Sequence, residues 1–214
     1  MITSGEMIAL VLGSGGLSGV VNFGLTHWTT LRARRRDVSH QSLLVAEHLE
    51  SYAFGCAGLA FGAWCMLADD RPGGLPSLPP LFQPFPDKIV WQSIDGDRAA
   101  AARGLPLKAE QAAAAVQAGF GKSNTEGHVA AFAWTLRLGN DAFEVATGLR
   151  GVNRISPLTF EYPRWDYPQF LRGELEKLPL RRDQITAEVA RMEGGSGATA
   201  PNSRGGSPPR SVGT

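Results

Sequence analysis

No proline occurs before Pro72, and no Asp, Glu, Lys or Arg lies between Met7 and Leu31. The first absence removes the residue that most disrupts a helix interior, so the first 71 residues are free to be helical throughout. The second leaves 25 residues without a charged side chain, and about 20 predominantly apolar residues suffice for a helix to cross a bilayer. Only two cysteines occur among 214 residues, which excludes a disulfide scaffold. Cys56 and Cys65 stand nine apart in one helical run and read as reduced thiols. Neither sign of charge is in excess: 21 basic against 20 acidic residues leave +1, which excludes a dedicated nucleic-acid binder. A hydrophobic fraction of 43% excludes wholesale disorder. No run of alternating apolar and polar residues reads as a strand, so the expected fold class is all-α.

The uncharged segment carries the most information. Residues 7–31 are expected to form a transmembrane helix, with Trp28 as an interfacial aromatic and Arg32, Arg34, Arg35 and Arg36 as a basic flank. On the other side only the amino terminus and Glu6 are charged. The positive-inside rule then leaves residues 1–6 outside and everything after Arg32 in the cytoplasm. A cleaved signal peptide needs its positive charge before the apolar run, whereas here it follows, so a signal anchor is expected. Gly15 and Gly19 are four apart, as are Ser14, Ser18 and Asn22 one position round. That spacing lets a neighbouring helix approach closely and predicts self-association in the bilayer.

Three enzyme-like patterns compete with this reading. Ile8 to Gly19 also reads as strand, glycine-rich turn and helix start, the opening of a dinucleotide fold or of a patatin-like oxyanion loop. The alternative function is therefore a soluble α/β enzyme with a nucleotide-binding or oxyanion loop at 13–19. Against it, Ser18 replaces the third fingerprint glycine, an arginine cluster follows in place of a second strand, and no Gly-x-Ser-x-Gly occurs. Gly121-Lys122-Ser123 resembles the end of a phosphate loop, but Val116 stands where the first glycine is required. Gly121 ending one helix and Ser123 opening a capping box with Glu126 is the simpler reading. His27, His40, His48 and His128 form no ligand pair at zinc spacing, and neither cysteine has one. Asp69, Asp70, Asp87, Asp95 and Asp97 cluster around the proline-rich loop, where Asp95 serves as a helix N-cap. No catalytic residue, cofactor site or metal site is assigned.

From Val38 onward, Ser42, Val45, Leu49, Tyr52, Cys56, Leu59, Ala63 and Met66 follow alternating steps of four and three, a seam for a helix of the same chain or of a second copy. Residues 32–70 thus form a basic flank and a long heptad-patterned helix. Its last 18 residues before Asp69 are uncharged, which makes 51–68 a core helix or a second span. Residues 71–95 form a proline-rich strap that lays its Leu and Phe side chains on the bundle, anchored by Ile89, Trp91 and Ile94. Helices are expected at Asp97–Arg103, Pro106–Phe120 and Asn124–Leu149, and from Pro168 to Met192 with a break at Pro179. These make 96–193 the remainder of the bundle. Residues 194–214, rich in Gly, Ser, Pro and Arg, are expected to be a disordered tail.

The helix Leu49-Glu50-Ser51-Tyr52-Ala53-Phe54-Gly55-Cys56-Ala57, the strap from Leu75 to Pro80 and Ile89-Val90-Trp91 resemble those of uncharacterised single-span membrane proteins of proteobacteria and their prophages. The resemblance covers about two thirds of the chain. It implies a bacterial inner-membrane location with the lipid bilayer as partner, and it supplies no activity. The expected function is a membrane-anchored helical protein acting through protein contacts, including homo-oligomer contacts through the transmembrane helix and the 38–66 seam.

Overall fold

The computed structural model describes the backbone of residues 4–69, 74–156 and 165–195, and the side chains of 27–68, 74–156 and 165–194. Among the described residues the regular structure is five α-helices: α1 (Ser4–Asp69), α2 (Gly96–Phe120), α3 (Asn124–Val152), α4 (Tyr167–Glu176) and α5 (Leu178–Gly195). One 3-10 turn, Trp91–Ser93, interrupts the strap, and no strand occurs among the described residues. The fold is all-helical, as the missing strand periodicity predicts.

The 66 residues of α1 run without a break, about 100 Å at ~1.5 Å per residue. Its amino-terminal part covers the expected 7–31 segment. Within 27–68 it is long and apolar enough to cross a membrane by length and composition, with a window of mean hydropathy 1.4 that is 33% buried. Arg32 to Arg36, Asp37, Glu47 and Glu50 confine that window to the carboxy-terminal part of the helix. The side chains of residues 7–26 lie outside the described ones.

The other end of α1 packs on α3, which also receives α2, α4 and α5 and so sits at the centre of the bundle. Phe132, Leu136, Leu138 and Leu149 of α3 are buried in one core with Val45, Leu49, Cys56, Ala60 and Ala63 of α1. Each large apolar side chain so enclosed contributes roughly 1.5–3 kcal/mol. The seam on α1 departs from the expected heptad. Leu59 is exposed and Met66 half-exposed, and their places in the core are taken by Ala53, Ala57 and Ala60. A straight helix turns once in ~3.6 residues, so a strict seven-residue repeat drifts by ~20° per heptad, which carries the row of Leu59 and Met66 outward while Cys56 and Ala63 stay buried. The small side chains let the two helices come close. A Cβ placed on Gly139 of α3 would stand 2.7 Å from the Cβ of Cys56.

Local chemistry sets the remaining boundaries. Asp95 caps α2, its carboxylate accepting the Arg98 backbone N–H at 3.3 Å. The two segments expected around Gly104 and Pro106 are one helix with Pro106 inside it. Ser123 caps α3 by accepting from the Glu126 N–H at 3.1 Å, and Gly121 closes α2. The capping box is only half formed, because the Glu126 carboxylate turns to Arg182 at 2.7 Å and the Ser123 N–H donates to the Gly119 carbonyl instead. The carboxy-terminal helical segment breaks at Lys177, with Pro179 in the first turn of α5, where its missing N–H costs nothing. The tail beyond Gly195, and residues 157–164, lie outside the described residues.

The strap runs back along α1. An extended proline-rich chain has no partners of its own for its carbonyls. Side chains of the bundle supply them: the Tyr52 hydroxyl donates to the Pro80 carbonyl at 3.2 Å, His48 Nε2 meets that of Gln83 at 2.9 Å, and His128 Nδ1 that of Pro76 at 3.0 Å. Phe82 and Phe85 pack on His48, and Phe85 on Trp91. Ile89 and Ile94 are buried, so the expected anchoring is observed.

Candidate functional site

One helix, α1, carries all of the membrane-flank and helix-association residues named above. Trp28 is exposed on α1, with the Arg32 guanidinium 4.0 Å above its ring. Arg34, Arg35 and Arg36 are exposed in the next turn. Ser14, Gly15, Ser18, Gly19 and Asn22 lie within the same helix, and their side chains are outside the described ones. Because Ile8 to Gly19 is continuous helix, the strand–turn–helix that a dinucleotide or oxyanion loop at 13–19 requires is not formed.

Farther along α1 the face opposite the core forms a groove. Ser51, Gly55, Gly58 and Gly62 follow steps of four, three and four and so share one face. A Cβ added at Gly55, Gly58 or Gly62 would meet nothing within 4 Å. One wall is aromatic: Phe54 and Phe61 stand 5.4 and 5.5 Å from Trp165, and Phe61 packs on Phe170 of α4. The other wall is the strap, where Leu81 is 82% exposed and Pro80 and Gln83 face Ser51 and Gly55. No charged side chain lies on α1 between Glu50 and Asp69, so the groove floor is uncharged from end to end.

Beneath the groove the polar groups are structural. Glu50 and Arg150 form a buried two-pronged ion pair at 2.7 and 2.8 Å, joining α1 to α3. The Glu50 hydrogen bond raises the Arg150 pKa further. Burial pushes the Cys56 thiol up to about 12 and raises the Tyr52 hydroxyl as well. A thiol so placed is neutral at physiological pH and a poor nucleophile. Among the described residues no group of three or more His, Cys, Asp or Glu gathers as metal ligands do.

Comparison of the chain with protein-family models, curated proteins and solved structures finds no match. The geometry therefore stands alone. The glycine-floored groove is not apparent from the apolar seam, whose side chains lie on the opposite face of α1. Its signal is the spacing of Gly55, Gly58 and Gly62, which becomes legible once the core face of α1 is known.

Proposed function

We propose that the chain is a membrane-anchored helical protein that acts through protein contacts, as an oligomer held along α1. In this reading residues 7–31 span a bacterial inner membrane once. The amino terminus lies outside, and the arginine flank and the bundle lie in the cytoplasm. The observation that carries the reading is the uncharged open face at Ser51, Gly55, Gly58 and Gly62, opposite the core face of the same helix. Small residues on a helix permit close backbone approach by a second helix, and the two apolar walls offer it side-chain contact.

The register along α1 favours a second copy as the occupant. Gly15 and Ser51, Gly19 and Gly55, and Asn22 and Gly58 are each 36 residues apart, about ten turns at ~3.6 residues per turn. The small-residue face of the bilayer segment and the groove floor therefore lie on one line of one continuous helix. Parallel copies meeting along that line engage both. Gly58 stands 27 residues past Leu31, about 40 Å along the helix at ~1.5 Å per residue, which puts the groove beyond the reach of lipid. The opposite face of the 51–68 segment is filled by α3, which favours a core helix over a second span.

Fractionation of cells expressing the full chain and a chain lacking residues 1–31 tests the anchor. The full chain is expected in membranes and released only by detergent. Its recovery in the soluble fraction without detergent would sink the proposal. Oligomer size in detergent tests the contact. Gly19→Ile and Gly58→Leu are each expected to weaken self-association by on the order of tenfold. An unchanged oligomer in the double variant would refute the shared face.

A further inference from the structure

At the point where α3 ends against α1, three arginines from two distant parts of the chain share one groove. A cavity of about 510 Å³ is lined by Arg34 and Arg35 of α1 and Arg154 beyond α3, over an apolar floor of Leu31, Val38 and Val152. No acidic residue lines it. The three side chains are exposed. Among the described residues none of the three makes an ion pair, whereas Arg150, one turn earlier on α3, is consumed by Glu50.

Arg154 is held there at a conformational cost. The Ile155 N–H donates to the Arg150 carbonyl at 2.9 Å and the Arg154 N–H to the Gly151 carbonyl at 3.2 Å, the paired bonds that close a helix through a left-handed residue. That residue is ordinarily glycine. Here it is Arg154 at φ 51°, the one non-glycine positive φ among the described residues. Complementing the negative end of the α3 dipole does not require this geometry, because a cation in the last turn with ordinary φ does so.

We infer that this groove binds the headgroup of an anionic phospholipid, the three guanidinium groups holding the phosphate and Leu31, at the bilayer edge of the groove, meeting the start of the acyl chains. The inference rests on the reading of residues 7–31 as a membrane span. Arg34 and Arg35 lie three and four residues past Leu31, about 5–6 Å along the helix, and the headgroup layer is roughly 5–8 Å deep. Guanidinium groups match phosphate oxygens in pairs. A site that combines three of them with exposed Leu31 and Val152 suits a lipid better than a free anion.

Native mass spectrometry of the full chain in detergent, titrated with phosphatidylglycerol, phosphatidylcholine or inorganic phosphate, tests it. One phosphatidylglycerol retained per chain in preference to phosphatidylcholine is expected. Arg154→Gly and Arg34→Gln/Arg35→Gln should each weaken that retention about tenfold or more. Arg32→Gln/Arg36→Gln, which removes the same charge from outside the groove, should change it less than about twofold. Arg154→Gly should melt at the same or a higher temperature than the native chain, since glycine suits the left-handed position, so a lost lipid cannot be ascribed to misfolding. Equal loss in the two double variants, equal retention of the two lipids, or displacement by millimolar inorganic phosphate would each overturn the inference. A chain that proves soluble yet still retains phosphatidylglycerol would overturn the anchor and leave the groove standing.

Discussion

Replacing Gly139 by alanine tests the contact on which the bundle is built. The new Cβ would lie 2.7 Å from the Cβ of Cys56 and 3.2 Å from both δ-methyls of Leu171. Carbon atoms pack at about 3.5–4.0 Å, so α1 and α3 must part by about 1 Å at their crossing. The Leu171 methyls can turn aside. The Cys56 Cβ cannot, because it is bonded directly to the backbone of α1. Overpacking of this kind costs about 1–3 kcal/mol, and the rigid obstacle puts this case in the upper part of that range. Alanine returns about 1 kcal/mol through its better helix propensity. The net loss is about 1–2 kcal/mol, a fall in Tm of roughly 2–8 °C for a chain of this size. Gly104→Ala on α2 supplies the control, since an added Cβ there meets nothing within 4 Å. That change should stabilise by up to about 1 kcal/mol. Adding Cys56→Gly to Gly139→Ala removes the opposing Cβ, so the pair should be less damaging than the sum of its members. Thermal unfolding in detergent, followed by far-ultraviolet circular dichroism, compares the native chain with the three single variants and the double one. A Gly139→Ala chain that melts at or above the native temperature would refute the close approach of α1 and α3.

Three further predictions concern the ion pair and the two cysteines. Arg150→Met leaves Glu50 enclosed without its partner and should cost about 3–5 kcal/mol, whereas Glu50→Leu/Arg150→Met should recover most of that loss; a double variant as unstable as the single one would contradict this account of the pair. The Cys56 thiol rises from 9.0 to about 12 on folding, so the fold favours its neutral form. That contribution is complete below about pH 9 and is lost as pH rises toward 12, and unfolding midpoints measured from pH 7 to 11 should fall along the alkaline limb. Iodoacetamide at pH 8 should alkylate half-buried Cys65 first and reach Cys56 only after denaturant; equal rates for the two would show that Cys56 is not enclosed.

Much of the helix layout was legible because each boundary has a local cause. Asp95 and Ser123 cap the helices they precede, Gly121 closes the helix before it, and Pro179 marks a helix start. Pro106 misleads for a related reason. Proline ordinarily ends a helix, but tertiary packing that buries Ala102 and Leu105 on one side and Ala112 on the other holds α2 continuous through it. The seam on α1 was legible in the row Ser42, Leu49, Cys56 and Ala63, which is buried throughout, and failed in the other row at Leu59 and Met66. A repeat of seven and a turn of ~3.6 residues agree for two or three turns and then diverge.

The candidate sites divide along the same line. The arginine flank, the uncharged run from Met7 to Leu31 and the Gly15/Gly19 spacing are consecutive features, and their implication for a bilayer follows from composition and helical periodicity alone. The gathering of Arg154 with Arg34 and Arg35 cannot be read that way, because more than a hundred residues separate them and only the packing of α3 on α1 brings them to one groove. The open glycine face at 55–62 has the same origin. Periodicity says which residues share a face, but which face is covered depends on the partner helix. On α1 the alanines and Cys56 go inward because Gly139 allows α3 to come close there, and the glycines are left outward with nothing over them.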